Sequence, residues 1–193
     1  SVTRAEFLKM TISASSYKDD AVNTKLNVSL FPDVRNNFWG AGYISVAIKN
    51  GLVAGYLDGT FKPHNPVTLE EAVTIVLRLL GYTNSDLTGS YPTAQLAKYE
   101  SLKLDENLNA KRGDKLTREE CMVLIYNTLS AKTKQGAVYC TTLGYSTNSE
   151  EKIDYSALLE QKLDGPTVVE SIEELKASIP FTVTDDTVIQ LNN

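Results

Sequence analysis

Two arginines stand at positions where a guanidinium can bind an acidic group. Arg4 lies in the segment VTRAE at residues 2–6, and Arg118 lies in LTREE at residues 116–120. If the threonine of each segment caps a helix, the arginine is the first helical residue, beside free backbone N–H groups and the positive end of the helix dipole. A planar fork of donors at that point fits a carboxylate or a phosphate. The alternative is an exposed helix-start residue that binds nothing.

The same apolar-Thr-x-x-Glu pattern occurs three times, at residues 2–6, 67–71 and 116–120. It is the capping box, in which the threonine hydroxyl accepts from a backbone N–H and the glutamate reaches back to the threonine N–H. An apolar run with helical spacing follows each box. The pattern therefore predicts three helix starts, with the capping pairs Thr3 and Glu6, Thr68 and Glu71, and Thr117 and Glu120.

The stretch between the first two boxes predicts a helix, a turn and a second helix. Apolar residues between 43 and 48 have the spacing of a buried helix face, and Gly51 follows as a stop. Asp58 and Gly59 form a turn dipeptide in which glycine can take a positive φ. After the second box, Gly81 stands where a left-handed C-cap belongs.

This stretch resembles an S-layer homology (SLH) repeat. The family pattern is F-x-D-V, a tryptophan, an alanine-rich helix, G-(I/L)-V-x-G-Y-x-D-G-T-F-x-P and V-T-R-A-E. This chain has FPDV at 31–34, Trp39, GLVAGYLDGTFKP at 51–63 and VTLEE at 67–71.

The resemblance divides the chain into repeats and an extension. It predicts SLH repeats over 1–132, made of the second helix of a truncated repeat at 1–17, a complete repeat at 30–82 and a divergent repeat at 91–132. Residues 133–193 are predicted to be an acidic α+β extension. The expected fold is mainly α, with helix-turn-helix repeats around a helical bundle and a small β-containing C-terminal segment.

The family implies a non-catalytic function at the outside of the cell. SLH repeats anchor proteins to the secondary cell-wall polysaccharide of Gram-positive bacteria, an anionic and often pyruvylated polymer, which lies in grooves between repeats. An extracellular location in the cell wall or S-layer is therefore expected. The candidate ligand-binding residues are Arg4, Arg118, Trp39, Asp58 and Gly59.

The candidates differ in what else they could do. We expect Arg118 to be better placed than Arg4, since the first half of the Arg4 repeat is missing from this chain. Trp39 either anchors the core or stacks on a sugar ring. Asp58 either shapes its turn or accepts hydrogen bonds from sugar hydroxyls. Asp33 is expected to be a local cap before the Trp39 helix.

Leu69 occupies, in the second box, the position that arginine holds in the other two. A neutral side chain cannot form a charge-assisted pair with an acid. The groove of the second repeat is therefore predicted to bind weakly or not at all, and Leu69→Arg is predicted to change its binding.

Composition excludes several kinds of site. The 193 residues include one histidine, His64, which we expect in a solvated loop, so a zinc site or a histidine-dependent triad is not expected. Cys121 is predicted to be a small core residue without a bridge to Cys140. No cofactor and no metal are expected. No apolar run reaches the roughly 20 residues of a membrane helix.

Charge is concentrated at the C-terminal end. The chain has a net charge of −5, and residues 146–193 alone have three basic and ten acidic side chains. That shift suggests a boundary near residue 146 and argues against a nucleic-acid partner. A short helix beginning near Ile153 and strands at 167–169, 181–183 and 188–191 are predicted there.

Two other functions are weighed against anchoring. A glycan-cleaving enzyme needs two carboxylates facing each other across a cleft, but the acidic residues that the motifs place are mostly caps or turns. A protein–protein assembly module that self-associates is the main alternative, because a repeat without its first helix exposes the surface that this helix would cover.

Overall fold

The computed structural model describes residues 1–154. The predicted strands and most of the predicted helix near Ile153 lie outside the described residues. Within residues 1–154 the helices are α1 (Arg4–Ser13), α2 (Lys18–Asn23), α3 (Ala41–Lys49), α4 (Leu69–Leu79), α5 (Thr93–Ser101), α6 (Arg118–Ser130) and α7 (Tyr139–Thr142). Extended pairing in this part of the chain is limited to isolated bridges. The expected mainly helical fold is confirmed.

The three capping boxes begin α1, α4 and α6, as predicted. In the first and third boxes the threonine N–H donates to the glutamate at 2.7 Å, and the glutamate N–H donates to the threonine hydroxyl at 3.3 and 3.2 Å. The second box is looser. Thr68 N donates to Glu71 at 3.1 Å, whereas the buried Thr68 hydroxyl makes no hydrogen bond of ordinary length with the described residues.

The residues before the three capping threonines form a closed ring of backbone hydrogen bonds. Val2 N donates to Leu116 O at 2.8 Å, Leu116 N to Val67 O at 3.0 Å, and Val67 N to Val2 O at 2.9 Å. All three side chains are buried. The helices α1, α4 and α6 therefore start around one point, which gives the repeats a threefold arrangement.

Each of these three helices is packed by another. The pairs are α3 on α1, α5 on α4 and α7 on α6. The core between them contains Phe7, Leu8, Phe61 and Leu77, which are fully buried. Helices α3 and α4 end as the sequence predicts, at Gly51 and Gly81, whose φ angles are +68° and +90°.

Residues 133–145 pack on the repeats. Lys134 N donates to Leu80 O at 2.9 Å, and its Nζ pairs with Asp86 at 2.6 Å. Tyr139 N donates to Ala131 O at 2.8 Å, and its ring is buried in the main core. No helix among residues 1–154 has the length and apolar character needed to cross a membrane.

Candidate functional site

Arg4, the first residue of α1, turns inward toward the second repeat. Its Nη1 pairs with Glu71 Oε1 at 2.7 Å and its Nε donates to Phe61 O at 3.1 Å, so that only 5% of the residue is exposed. The expectation that an arginine at this position faces solvent is therefore wrong for Arg4. The cause is that the neighbouring repeat supplies a carboxylate and a carbonyl within reach of two of its nitrogens.

Two aromatic rings flank this guanidinium. Its carbon lies 4.6 Å from the centroid of the Tyr56 ring and 4.9 Å from that of Phe61. Such cation–π contacts hold the planar group in one orientation. Tyr56 Oη also donates to Glu71 at 2.5 Å. Burial, together with this hydrogen bond, raises the pKa of Tyr56 to about 12.

Glu71 connects the cap of α4 to this arginine. Its Oε2 accepts from Thr68 N in the capping box, while Oε1 accepts from both Arg4 and Tyr56. The glutamate of one capping box therefore fixes the arginine of another. Sequence motifs identified Arg4 as a ligand-binding candidate and Glu71 as a cap residue, and did not reveal that they pair.

A groove of about 150 Å³ opens beside this network. The Arg4 groove, as we call it, is lined by residues 52–55 and by Arg4, Tyr56, Glu71, Thr74, Ile75, Arg78 and Tyr91. Its two guanidinium groups and single carboxylate leave it with an excess of positive charge.

Two of the three guanidinium nitrogens of Arg4 are occupied by the contacts with Phe61 and Glu71. The third, Nη2, makes no hydrogen bond with a described residue, and 6% of the Arg4 side chain is exposed beside the groove. Arg78, across the groove, donates to Leu52 O at 3.4 Å. The arrangement can donate hydrogen bonds to an acidic group from a positively charged wall.

Tyr91 is a groove residue that the sequence motifs missed. It lies two residues before α5, as Trp39 lies two residues before α3. It is 57% exposed, and burial of its hydroxyl end and the charges of Glu70 and Glu71 raise its pKa. Its equivalence to Trp39 was the signal that could have identified it.

Trp39 is 51% exposed, so its interpretation as a core anchor is wrong. Its ring tilts against Phe38 at 5.1 Å, and Lys9 Nζ lies 5.7 Å from its centroid. Trp39 borders a second groove that is lined by α2 and the start of α3. The half-exposed ring is therefore open to contact from outside the chain.

Arg118 is exposed at the start of α6. Hydrogen bonds from Thr3 lower the pKa of Glu6, and the charge of Arg118 adds to that shift. Arg4, which was expected to be less well placed than Arg118, lines a formed groove together with the second repeat. Leu69, at the equivalent position of α4, is 2% exposed and packs in the core.

Asp58 shapes its turn, as one of the two predictions for it required. Its Oδ1 accepts from Thr60 N at 3.0 Å and from Thr60 Oγ1 at 2.6 Å, and its Oδ2 pairs with Lys62 at 2.9 Å. The Thr60 and Lys62 contacts lower the pKa of Asp58 to about 2. Gly59 has φ +78°. Lys62 Nζ lies 4.3 Å above the Tyr56 ring, so the turn borders the Arg4 groove.

Asp33 is not the local cap that was expected. Its carboxylate accepts from Phe61 N at 3.0 Å and from Lys62 N at 2.7 Å, since these two N–H groups converge on it from the loop before the second box. His64 is exposed, with its ring edge against Phe38 at 5.3 Å. Cys121 and Cys140 are both buried and free.

Metal chemistry has no evident site in the described part of the chain. Residues 1–154 contain no group of three or more His, Cys, Asp or Glu side chains that could hold a metal ion.

Comparison with known proteins identifies the repeat. Residues 30–73 match the S-layer homology domain. Over 108 residues, 56% of this chain and 10% of the relative, the sequence is 36% identical to a surface layer protein of Brevibacillus choshinensis. Over 149 residues, 77% of this chain and 14% of the relative, it is 28% identical to a middle cell wall protein of Brevibacillus brevis.

Enzymes also carry similar segments. The exoglucanase XynX of Acetivibrio thermocellus is 37% identical over 78 residues, which are 40% of this chain and 6% of the enzyme. The chain thus spans no more than 14% of the length of these three relatives. No solved structure matches it. The matches place the chain at the cell surface, in the cell wall or S-layer.

Proposed function

We propose that this S-layer homology domain protein is a non-catalytic cell-wall anchoring module whose Arg4 groove binds acidic groups of a secondary cell-wall polysaccharide. The observation that carries the proposal is the Arg4 guanidinium, which lines the groove, is fixed by Glu71 and Phe61, and has one nitrogen, Nη2, without a partner among the described residues. A preorganised donor loses little side-chain entropy on binding. A pyruvyl carboxylate on a sugar is the acid that the family resemblance suggests.

The walls of the groove suit a saccharide. Tyr56 and Tyr91 supply aromatic surface and hydroxyl groups, and Arg78 supplies a second positive charge. Aromatic faces commonly pack against apolar surface, while phenol hydroxyls keep a polar partner. The groove therefore combines charge recognition with ring packing.

Catalysis by these residues is not proposed. A glycoside hydrolase needs two carboxyl groups on either side of the scissile bond. The Arg4 groove offers one, Glu71, and that carboxylate already accepts from Thr68, Arg4 and Tyr56. Enzymes such as XynX carry similar segments, so anchoring of a catalytic parent protein is compatible with the proposal.

A second groove of the same kind is proposed around Arg118. Its charge adds a minor part to the lowered pKa of Glu6, the capping glutamate of α1, and Trp39 stands where Tyr91 stands before the equivalent helix. Lys9, over the Trp39 ring, adds a positive charge. Asp58 and Gly59 are proposed to act at the rim of the Arg4 groove, whereas Leu69 provides no charge at its position.

Calorimetric titration with purified wall polymer tests the Arg4 groove. The intact chain should bind pyruvylated polymer more tightly than the same polymer after depyruvylation. Arg4→Lys should lower the affinity for the pyruvylated polymer about tenfold, which corresponds to about 1.4 kcal/mol, because lysine keeps the charge but loses the planar fork.

Arg35→Lys, at an exposed arginine outside the groove, is the matched control and should bind as the unaltered chain does. Circular dichroism checks that both variants remain folded. Equal affinity for the two polymers would contradict recognition of an acidic group.

A protein–protein assembly module remains the second candidate. It is favoured by the exposed apolar side chains Val22 and Trp39, which border one groove. Clusters of this kind mark interaction surfaces more often than scattered apolar residues do. Light scattering over a range of concentrations distinguishes the two candidates, since assembly predicts a concentration-dependent mass without polymer.

A further inference from the structure

Residues 146–154, which we call the strap, form a small hairpin with its own internal bonding. Asn148 N donates to Lys152 O at 2.8 Å, and Asp154 N donates to Ser146 O at 2.9 Å. The Asn148 side chain also accepts from Lys152 N at 3.0 Å. These bonds join strap residues to one another, so the hairpin can keep its shape while it moves relative to the helices.

Within residues 146–154, Ile153 is the apolar side chain that is buried. Ile153 is 3% exposed and packs with Val138 and Cys140, beside Leu129 at the end of α6. Its buried residues are distinct from those of the main core, and Leu129 packs against both clusters. The backbone N–H of Ile153 also donates to Ser130 Oγ, at a long 3.4 Å. Removal of this one side chain from its cluster would thus leave the main core intact.

Ion pairs hold the strap at its outer side. Lys132 pairs with Glu151 at 3.0 Å, and Lys152 pairs with Glu106 at 3.4 Å. All four side chains are between 37% and 65% exposed. Pairs this exposed contribute little to stability and are screened by salt. They can keep a closed strap in position, but they cannot prevent it from opening.

The strap borders a groove of about 450 Å³. The other walls are the turn at 101–106 and the C-terminal part of α6, which supplies Tyr126, Asn127 and Ser130. Because the strap forms one wall, its position sets the width of this groove and the exposure of the Ile153 cluster beneath it.

We propose that the strap opens and closes independently of the repeat core. It is held closed by the buried side chain of Ile153 and by the two ion pairs, which salt weakens. Opening widens the groove beside α6 and exposes Cys140 to solvent. Local opening of a segment with few buried apolar contacts requires less free energy than unfolding of the domain.

The two cysteines provide a reporter and an internal control. Cys140 lies in the strap cluster, and Cys121 lies in the main core. Both are fully buried, so a thiol reagent labels each of them only when its own surroundings open. Peptide mass spectrometry separates the two labelling rates in a single sample.

In the unaltered chain, Cys140 should react faster than Cys121. Ile153→Ala should raise the Cys140 rate by about tenfold or more and leave the Cys121 rate unchanged. Raising the salt concentration from about 0.05 M to about 1 M should raise the ratio of the Cys140 rate to the Cys121 rate by about two- to fivefold.

Lys62→Gln is the matched control, since it breaks an exposed ion pair, with Asp58, away from the strap. It should leave both rates unchanged, whereas Lys152→Gln should raise the rate of Cys140 alone. Equal rates for the two cysteines in every sample would overturn the proposal, because both would then report unfolding of the whole domain. If Ile153→Ala unfolds the chain, the salt series on the unaltered protein decides. A constant ratio of the Cys140 rate to the Cys121 rate overturns the proposal, and a ratio that rises with salt supports it.

Discussion

At the scale of single residues, Asp33 joins two segments of the complete repeat that lie 28 residues apart. Its carboxylate accepts from the backbone N–H groups of Phe61 and Lys62, and this loop carries the carbonyl that binds Arg4. Burial alone would raise the pKa of Asp33, but these hydrogen bonds outweigh it and the pKa is lowered. Asp33 thus holds in place the loop that contacts Arg4, although Asp33 itself lies outside the Arg4 groove.

Asp33→Asn is therefore expected to destabilise the chain by about 0.5–1.5 kcal/mol at pH 7, because an amide accepts more weakly than a carboxylate from the two N–H groups and the exposed site is partly screened by solvent. A group whose pKa is lower in the folded chain stabilises it above the unfolded pKa, near 3.8, and this contribution is lost as the pH falls through the folded value.

Urea unfolding at pH 7 and near pH 3 measures this effect. The difference in the free energy of unfolding between Asp33→Asn and the unaltered chain should be smaller at the lower pH. An equal difference in the free energy of unfolding at both pH values would contradict the role assigned to the carboxylate. Glu119→Gln, at an exposed first-turn position of α6, is the control for a general loss of charge.

At the scale of elements, the local patterns could be predicted from the sequence and the distant contacts could not. The capping boxes at Thr3 and Thr117 depend on residues three positions apart, so their spacing predicted the starts of α1 and α6 correctly. The partner of Arg4 is 67 residues away. No periodicity encodes that contact, and the same limit explains the wrong expectation for Asp33, whose partners are 28 and 29 residues away.

The caps are also not equivalent, although their sequences are nearly alike. Thr117→Val should destabilise the chain by about 1 kcal/mol, because its hydroxyl accepts from Glu120 N. Thr68→Val should change stability little or increase it, because the buried Thr68 hydroxyl lacks such a bond and the substitution removes an unpaired polar atom.

Urea midpoints of the two valine variants, compared under one condition, test this difference directly. Equal destabilisation by both substitutions would mean that the Thr68 hydroxyl contributes as the other cap does. Thr142→Val, at the end of α7, supplies a control for replacing a hydroxyl outside the boxes.

At the scale of the whole molecule, the backbone ring of Val2, Val67 and Leu116 makes the three repeats depend on one another. Each residue donates to one neighbour and accepts from the other, so loss of one repeat leaves an unpaired donor and an unpaired acceptor in the other two. Residues 133–145 extend this dependence, since Lys134 binds the end of α4 and Tyr139 enters the same core. The repeats should therefore unfold together.

Leu124→Ala in α6 tests that cooperativity. The side chain is fully buried, so the substitution should lower the free energy of unfolding by about 2–5 kcal/mol. Trp39 is the single tryptophan and lies in a different repeat from Leu124, whereas far-ultraviolet circular dichroism reports all helices. Since one ring of backbone hydrogen bonds joins the repeats, the urea midpoints measured by tryptophan fluorescence and by circular dichroism should fall to the same value. A fluorescence midpoint that stays in place while the circular dichroism midpoint falls would show that the repeats unfold separately, and the ring would then not couple them.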